Sequence, residues 1–128
     1  MATFIEDAKS LYAEALKLFE EARRTSSKTI LTEACRKCWL ACVRAVDGLL
    51  QSRNISLPKG DKERRACLEL LESIDPRAKA KEIADRQSVR YHHLYEEGVL
   101  GYMDPVRARN EFERAKRLIE DIERLTLQ

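Results

Sequence analysis

Apolar positions recur along most of this chain at the alternating three- and four-residue steps of an amphipathic helix. From Thr3 to Arg24 the stripe runs Phe4, Ala8, Leu11, Ala15, Leu18, Ala22, widened by Tyr12 and Phe19. Thr3 and Glu6 form a capping-box pattern at its start, and the run TSSK ends it while supplying an N-cap for the next segment. The second segment, about Lys28 to Gln51, has the broadest apolar arc. Leu31, Cys35, Cys38, Cys42, Ala45 and Leu49 lie on one line, flanked by Ala34, Trp39, Ala41, Val46 and Leu50, which places this helix near the centre of a bundle. SRNISLPKG stops it.

A third helix over about Asp61 to Ser73 carries Cys67, Leu68, Leu71 and Ile74 as its expected buried side. Asp75-Pro76 reads as N-cap and first residue of a fourth helix that ends at Gly98, with Ala80, Ile83, Ala84, Gln87, Tyr91 and Leu94 inward. Asp104-Pro105 repeats that signal for the fifth. Ala108, Phe112, Ala115, Ile119 and Ile122 form its stripe, with Glu113–Arg117 and Glu120–Arg124 pairs outside. The two long N-terminal helices share a connection of a few residues and must pair as an antiparallel hairpin. The expected fold is all-α, a four- to five-helix bundle built on that hairpin, with residues 1–128 as a single domain.

Composition agrees. Hydrophobic residues make up 44% and charged residues 36%, enough for a core beneath a heavily charged surface, which excludes a disordered or collagen-like chain. No stretch approaches the roughly 20 apolar residues that span a bilayer. MATFIEDAKS places acidic residues where a signal peptide has a basic start, so a cytoplasmic protein without a membrane partner is expected. The net charge of +2 argues neither for nor against nucleic acid.

Cys35-Arg36-Lys37-Cys38, with Cys42 following, matches a metal or redox spacing. Helix geometry places all three thiols in the middle of the apolar stripe, where cysteine acts as a small hydrophobe. The glycines fit neither a phosphate-binding loop nor a dinucleotide fingerprint. No metal and no cofactor is expected.

Charged and titratable groups crowd the fourth helix, which holds both histidines. Arg86, Arg90 and His93, at steps of four and three, share a flank beside the buried stripe, whereas His92 points away from His93, towards Asp85 and Ser88. Two guanidinium groups and an imidazole in a row suit a phosphodiester, since Arg offers a permanently charged fork and His titrates near neutral pH. The same row also reads as an ion-pair ladder, with Glu82 four residues before Arg86 and Glu97 four after His93.

Arg86-Gln-Ser-Val-Arg-Tyr-His92 resembles the motif of HEPN (higher eukaryote and prokaryote nucleotide-binding) domains: an arginine, four to six residues, then a histidine. His93 fits it equally, and Gln87 stands where those domains carry a polar residue, often asparagine. The order of a long hairpin, shorter helices, the motif and a last helix is also similar. HHLYEEGVLGYMDPVRARNEFERAKRLIEDIERL resembles archaeal PaREP-type members of that group. The resemblance implies a homodimer and a nucleotide- or RNA-associated binding protein, beside a nucleotidyltransferase-type partner. Alternatively it implies a metal-independent endoribonuclease with an antitoxin partner. In the second case Arg86, His92 and His93 would be catalytic, and Arg86 and Arg90 would hold phosphate. A ligand-free scaffold or partner-binding bundle is the third reading. Val99, Leu100, Tyr102 and Met103 are expected either to cap the core or to line a dimer contact.

Overall fold

Thr3 starts the fold as the sequence predicts: its Oγ1 accepts from Glu6 N–H at 3.1 Å, and Glu6 accepts in return from Thr3 N–H at 3.3 Å. The computed structural model describes residues 3–128; Met1 and Ala2, which belong to the segment weighed above as a leader, lie outside them. Helix α1 (Phe4–Thr25) ends at Ser26 in the left-handed region, and Ser27 caps α2 (Lys28–Ser52) through Ile30 N–H. The short turn folds the two back on each other. Lys37 reaches Glu14 across the hairpin at 3.0 Å, and nearer the open end Gly48 leaves no room for a Cβ, which would lie 2.9 Å from Phe4 Cβ.

Helix α6 (Pro105–Thr126), with Asp104 as N-cap and proline first, completes the frame. Its buried stripe contains Ala108, Phe112, Ala115, Ile119 and Ile122, as expected, and also Leu118, Leu125 and Glu111. It runs antiparallel to α1: Phe19 meets Phe112 with ring centroids 5.4 Å apart, Tyr12 Oη donates to the Phe112 carbonyl at 3.0 Å, and Lys9 pairs with Glu123. Helix α3 (Asp61–Ile74) is held to α2 by Arg64, which donates to Asp47 at 3.0 Å and to Asp61 at 2.9 Å. Leu68 and Leu71 are buried there, whereas Cys67 is half-buried and Ile74, expected inside, is exposed.

The fourth helix is not continuous. Asp75 caps a single short helix, α4 (Pro76–Ala80), and Glu82 then adopts φ 51°, a left-handed break without glycine. The cause is tertiary: Glu72 of α3 accepts from Ala84 N–H at 3.0 Å and so caps α5 (Ile83–Arg90) from outside the segment. Beyond Arg90 the coil widens into a π-helical turn, Tyr91–Glu97, with Gly98 N–H bonding the His93 carbonyl and Leu100 N–H that of Tyr95, each five residues back. Gly98 packs on α2 so closely that a Cβ would sit 2.9 Å from Cys35 Sγ and 2.4 Å from the Leu94 carbonyl oxygen. Among the described residues the architecture is thus all-helical, with six α-helices and one π-helical turn where the sequence suggested four or five helices. Among the described residues no helix is long and apolar enough to cross a membrane.

Candidate functional site

The widened turn changes how the histidines face. Within this turn His92 and His93 do not point apart as an α-helical wheel requires. Their ring centroids lie 5.0 Å from each other, and both reach Glu97: His92 Nε2 at 3.3 Å and His93 Nδ1 at 3.1 Å from Oε1. His92 Nδ1 also lies 3.3 Å from Glu96 Oε1. Arg107, in the first turn of α6, closes the group, with Nη1 2.6 Å from Glu97 Oε2 and Nη2 2.9 Å from His93 Nδ1. His93 Nδ1 thus faces a carboxylate acceptor and a guanidinium donor at once, and its protonation decides which of the two it bonds: protonated it donates to Glu97, unprotonated it accepts from Arg107. Partial burial works to raise the Glu97 carboxyl, but the bonds and charges of Arg107 and His93 outweigh it and hold it below the ordinary carboxylate range.

One nitrogen from each histidine and a Glu97 oxygen lie within 4.8 Å of one another, the spacing of a cation site. The Arg107 guanidinium already occupies the position a cation would take between His93 and Glu97, so these residues fit an acid–base group with a built-in counter-ion better than a metal centre.

Arg86 lies apart from this group. Its Nη1 donates to Asp121 of α6 at 2.9 Å and to the Lys81 carbonyl at 3.2 Å. Between them along the helix, Arg90 turns inward to Glu111, Nη1 to Oε2 at 2.6 Å, with side chains only 6% and 2% exposed. Burial lowers the Arg90 pKa, and the adjacent Glu111 carboxylate works against that shift. The expected row is therefore divided among three environments: an ion pair beside α6, a buried pair, and the imidazole group.

Helices α5 and α6 bound a cleft of about 600 Å³ that holds Arg86 and Arg90 from one side and Arg114, Arg117 and Arg124 from the other. Asp121 is shared by Arg86 and Arg124, the latter at 2.6 Å, so Arg124 pairs with Asp121 rather than with Glu120. Glu111 is shared in the same way by Arg90 and Arg114, at 2.6 and 2.7 Å. Each carboxylate thus serves two guanidinium groups and leaves one positive charge in excess. Arg117, expected to pair with Glu113, reaches no carboxylate within 4.0 Å among the described residues. Glu82, Asp85 and Glu120 line the same cleft and offset most of this surplus.

Sequence periodicity had a signal for the α6 side that the apolar stripe conceals. Arg107, Arg114, Arg117 and Arg124 follow at steps of seven, three and seven, which keeps them on one helical face. Arg107's approach to His93 had no such signal, because it depends on the bend between Gly98 and Asp104.

Cys35, Cys38 and Cys42 lie in the core, where the pattern placed them. Cys35, Cys38 and Cys42 are fully buried, and burial pushes Cys35 and Cys42 up to about 12 and Cys38 well above its usual value. No family model, no curated protein and no solved structure matches this chain.

Proposed function

We propose that this chain is a binding protein for nucleotides or single-stranded RNA, which holds the phosphate backbone in the cleft between α5 and α6. One observation carries this reading: Arg86, Arg114 and Arg124 line the cleft already fixed on shared carboxylates, with Arg90 enclosed behind them, and Arg117 meets no carboxylate among the described residues. A guanidinium already held by a carboxylate needs little further ordering to meet a phosphate, and its planar fork matches phosphate oxygens. The HEPN-type resemblance at Arg86 supports the same reading and adds a homodimer. The exposed side chains of Leu100, Tyr102 and Val106, just before Arg107 in the chain, offer that dimer a surface.

A metal-independent endoribonuclease is the second reading, favoured by the His92–His93–Glu97–Arg107 group. One neutral imidazole of the pair would take the proton of a ribose 2′-hydroxyl as that oxygen attacks phosphorus. The 5′-oxygen would leave with a proton from a second imidazole, giving a 2′,3′-cyclic phosphate, and Arg107 would offset charge on the phosphate.

Titration calorimetry with nucleotides and a short single-stranded RNA tests the first reading. Arg117→Ala breaks no internal pair and should fold normally while weakening binding about threefold to tenfold. Absence of heat from every ligand would leave the scaffold reading. The same RNA, incubated with the protein in EDTA, tests the second: cyclic-phosphate ends lost in His92→Ala/His93→Ala support it, and intact RNA removes it.

A further inference from the structure

Across α5 from the arginine cleft lies a second pocket, of about 530 Å³, between α2, α3 and α5. Trp39, Tyr91, Ala66 and Ala84 contribute its apolar walls. Trp39 and Tyr91 meet edge to face at 5.4 Å, and Tyr95 stacks behind Tyr91 at 5.5 Å with planes 20° apart, so the aromatic wall is braced. The remaining helix groups nearby are satisfied: Arg65 donates to the Ala84 carbonyl at 3.2 Å, to Asp85 at 2.8 Å and to Ser88 Oγ.

Gln87 is the exception. It lines the pocket with only 4% of its surface exposed, yet neither Oε1 nor Nε2 meets a hydrogen-bonding partner among the described residues. A buried amide with both ends unbonded costs stability, and an apolar side chain of the same size would fit this helix face without that cost. Its position on the inward stripe of α5 marks a place where a core residue carries recognition chemistry instead.

We infer that this pocket binds a nucleobase, with the ring against Trp39 and Tyr91 and its hydrogen-bonding edge on the Gln87 amide, whose two polar atoms are closed to solvent and turn towards the ring as it enters. The amide presents one acceptor and one donor side by side, the complement of the adjacent amino or imino N–H and ring acceptor on a purine or pyrimidine. The aromatic wall supplies the flat surface on which such a ring packs. Lys62 in the lining offers a cation to a phosphate, whereas Arg65 is held by Asp85 and Glu69, and Asp61 and Glu69 bring negative charge to the same pocket. The site does not rest on the arginine cleft, because α5 stands between them and they share no side chain.

Trp39 is the single tryptophan, so its fluorescence reports directly on the pocket. The test is a fluorescence titration of the whole chain with adenosine, guanosine, cytidine and uridine and their 5′-monophosphates, repeated on Gln87→Met. At least one base should give a saturable change, weakened tenfold or more in Gln87→Met, while the variant's unfolding temperature is unchanged or raised. Should that variant not fold, the N-methylated form of whichever base binds, tested on the natural sequence, should lose affinity to the same degree. Monophosphates binding more tightly than nucleosides would assign the mouth to phosphate. Binding untouched by Gln87→Met and by N-methylation overturns the inference. No saturable response to any of the eight ligands does so too, as an internal water network around the amide would give. Arg117→Ala, which tests the cleft, should leave this fluorescence response intact.

Discussion

Arg90 and Glu111 show how much one buried contact constrains this molecule. The pair is 2.6 Å long and almost wholly enclosed, and Glu111 also holds Arg114. Removing one partner leaves an unpaired charge in the interior, which costs about 3–5 kcal/mol, whereas replacing both with apolar groups is close to neutral. Glu111→Ala should therefore lower stability by about that amount in urea denaturation, and Arg90→Met/Glu111→Leu should recover most of it. Equal losses in the single and double variants would mean that the pair is not the source. The sequence placed Arg90 correctly beside the buried stripe but could not reveal its inward turn. Its partner lies 21 residues away on another helix, and no local pattern links the two. Gln87 was legible as a buried position, but its lack of a partner depends on three helices at once.

At the scale of elements, local chemistry made the starts legible: Thr3, Ser27, Asp75 and Asp104 each cap the helix they precede. The break at Glu82 was not, because Lys79, Ala80, Lys81 and Glu82 are all strong helix formers and the stop comes from Glu72 on α3. The π-helical turn was equally hidden, and with it the convergence of His92, His93 and Glu97. Asp75 joins three elements. It caps α4 through Arg77 and Ala78 N–H and meets Arg53 at 3.3 Å, while Arg53 also bonds the Leu125 carbonyl at 2.8 Å. Burial raises the Asp75 carboxyl, but these backbone and arginine bonds outweigh it and hold its pKa below the usual value. A depressed carboxyl adds stability that is present above its unfolded pKa of about 3.9 and is lost as pH falls through the folded value. Asp75→Asn retains a capping side chain but does not titrate. Its stability should fall less steeply than that of the natural sequence below about pH 4, measured as unfolding midpoint against pH. Identical slopes would remove Asp75 from the acid response.

For the whole molecule, the antiparallel hairpin and α6 form a frame, and the bent segment from Pro76 to Glu97 lies against it. That bend separates the chemistry that the sequence read as one row: the arginine cleft on one side of α5, the Gln87 pocket on the other, and the imidazole group where the helix widens. Arg107 belongs to the imidazole group only because the turn at Gly98 brings the start of α6 back beside His93. Packing at that turn therefore bears on the site as well as on stability. The central claim is that the cleft between α5 and α6 engages a phosphate backbone. Its most direct test is the anisotropy of a labelled single-stranded RNA across salt concentrations from about 50 to 300 mM, since each neutralised phosphate contributes about −0.7 to the slope of log K against log salt. Binding with a slope near −2, reduced by about 0.7 in Arg117→Ala, is the predicted result. Absence of binding at low salt, or a slope that Arg117→Ala leaves unchanged, would contradict it.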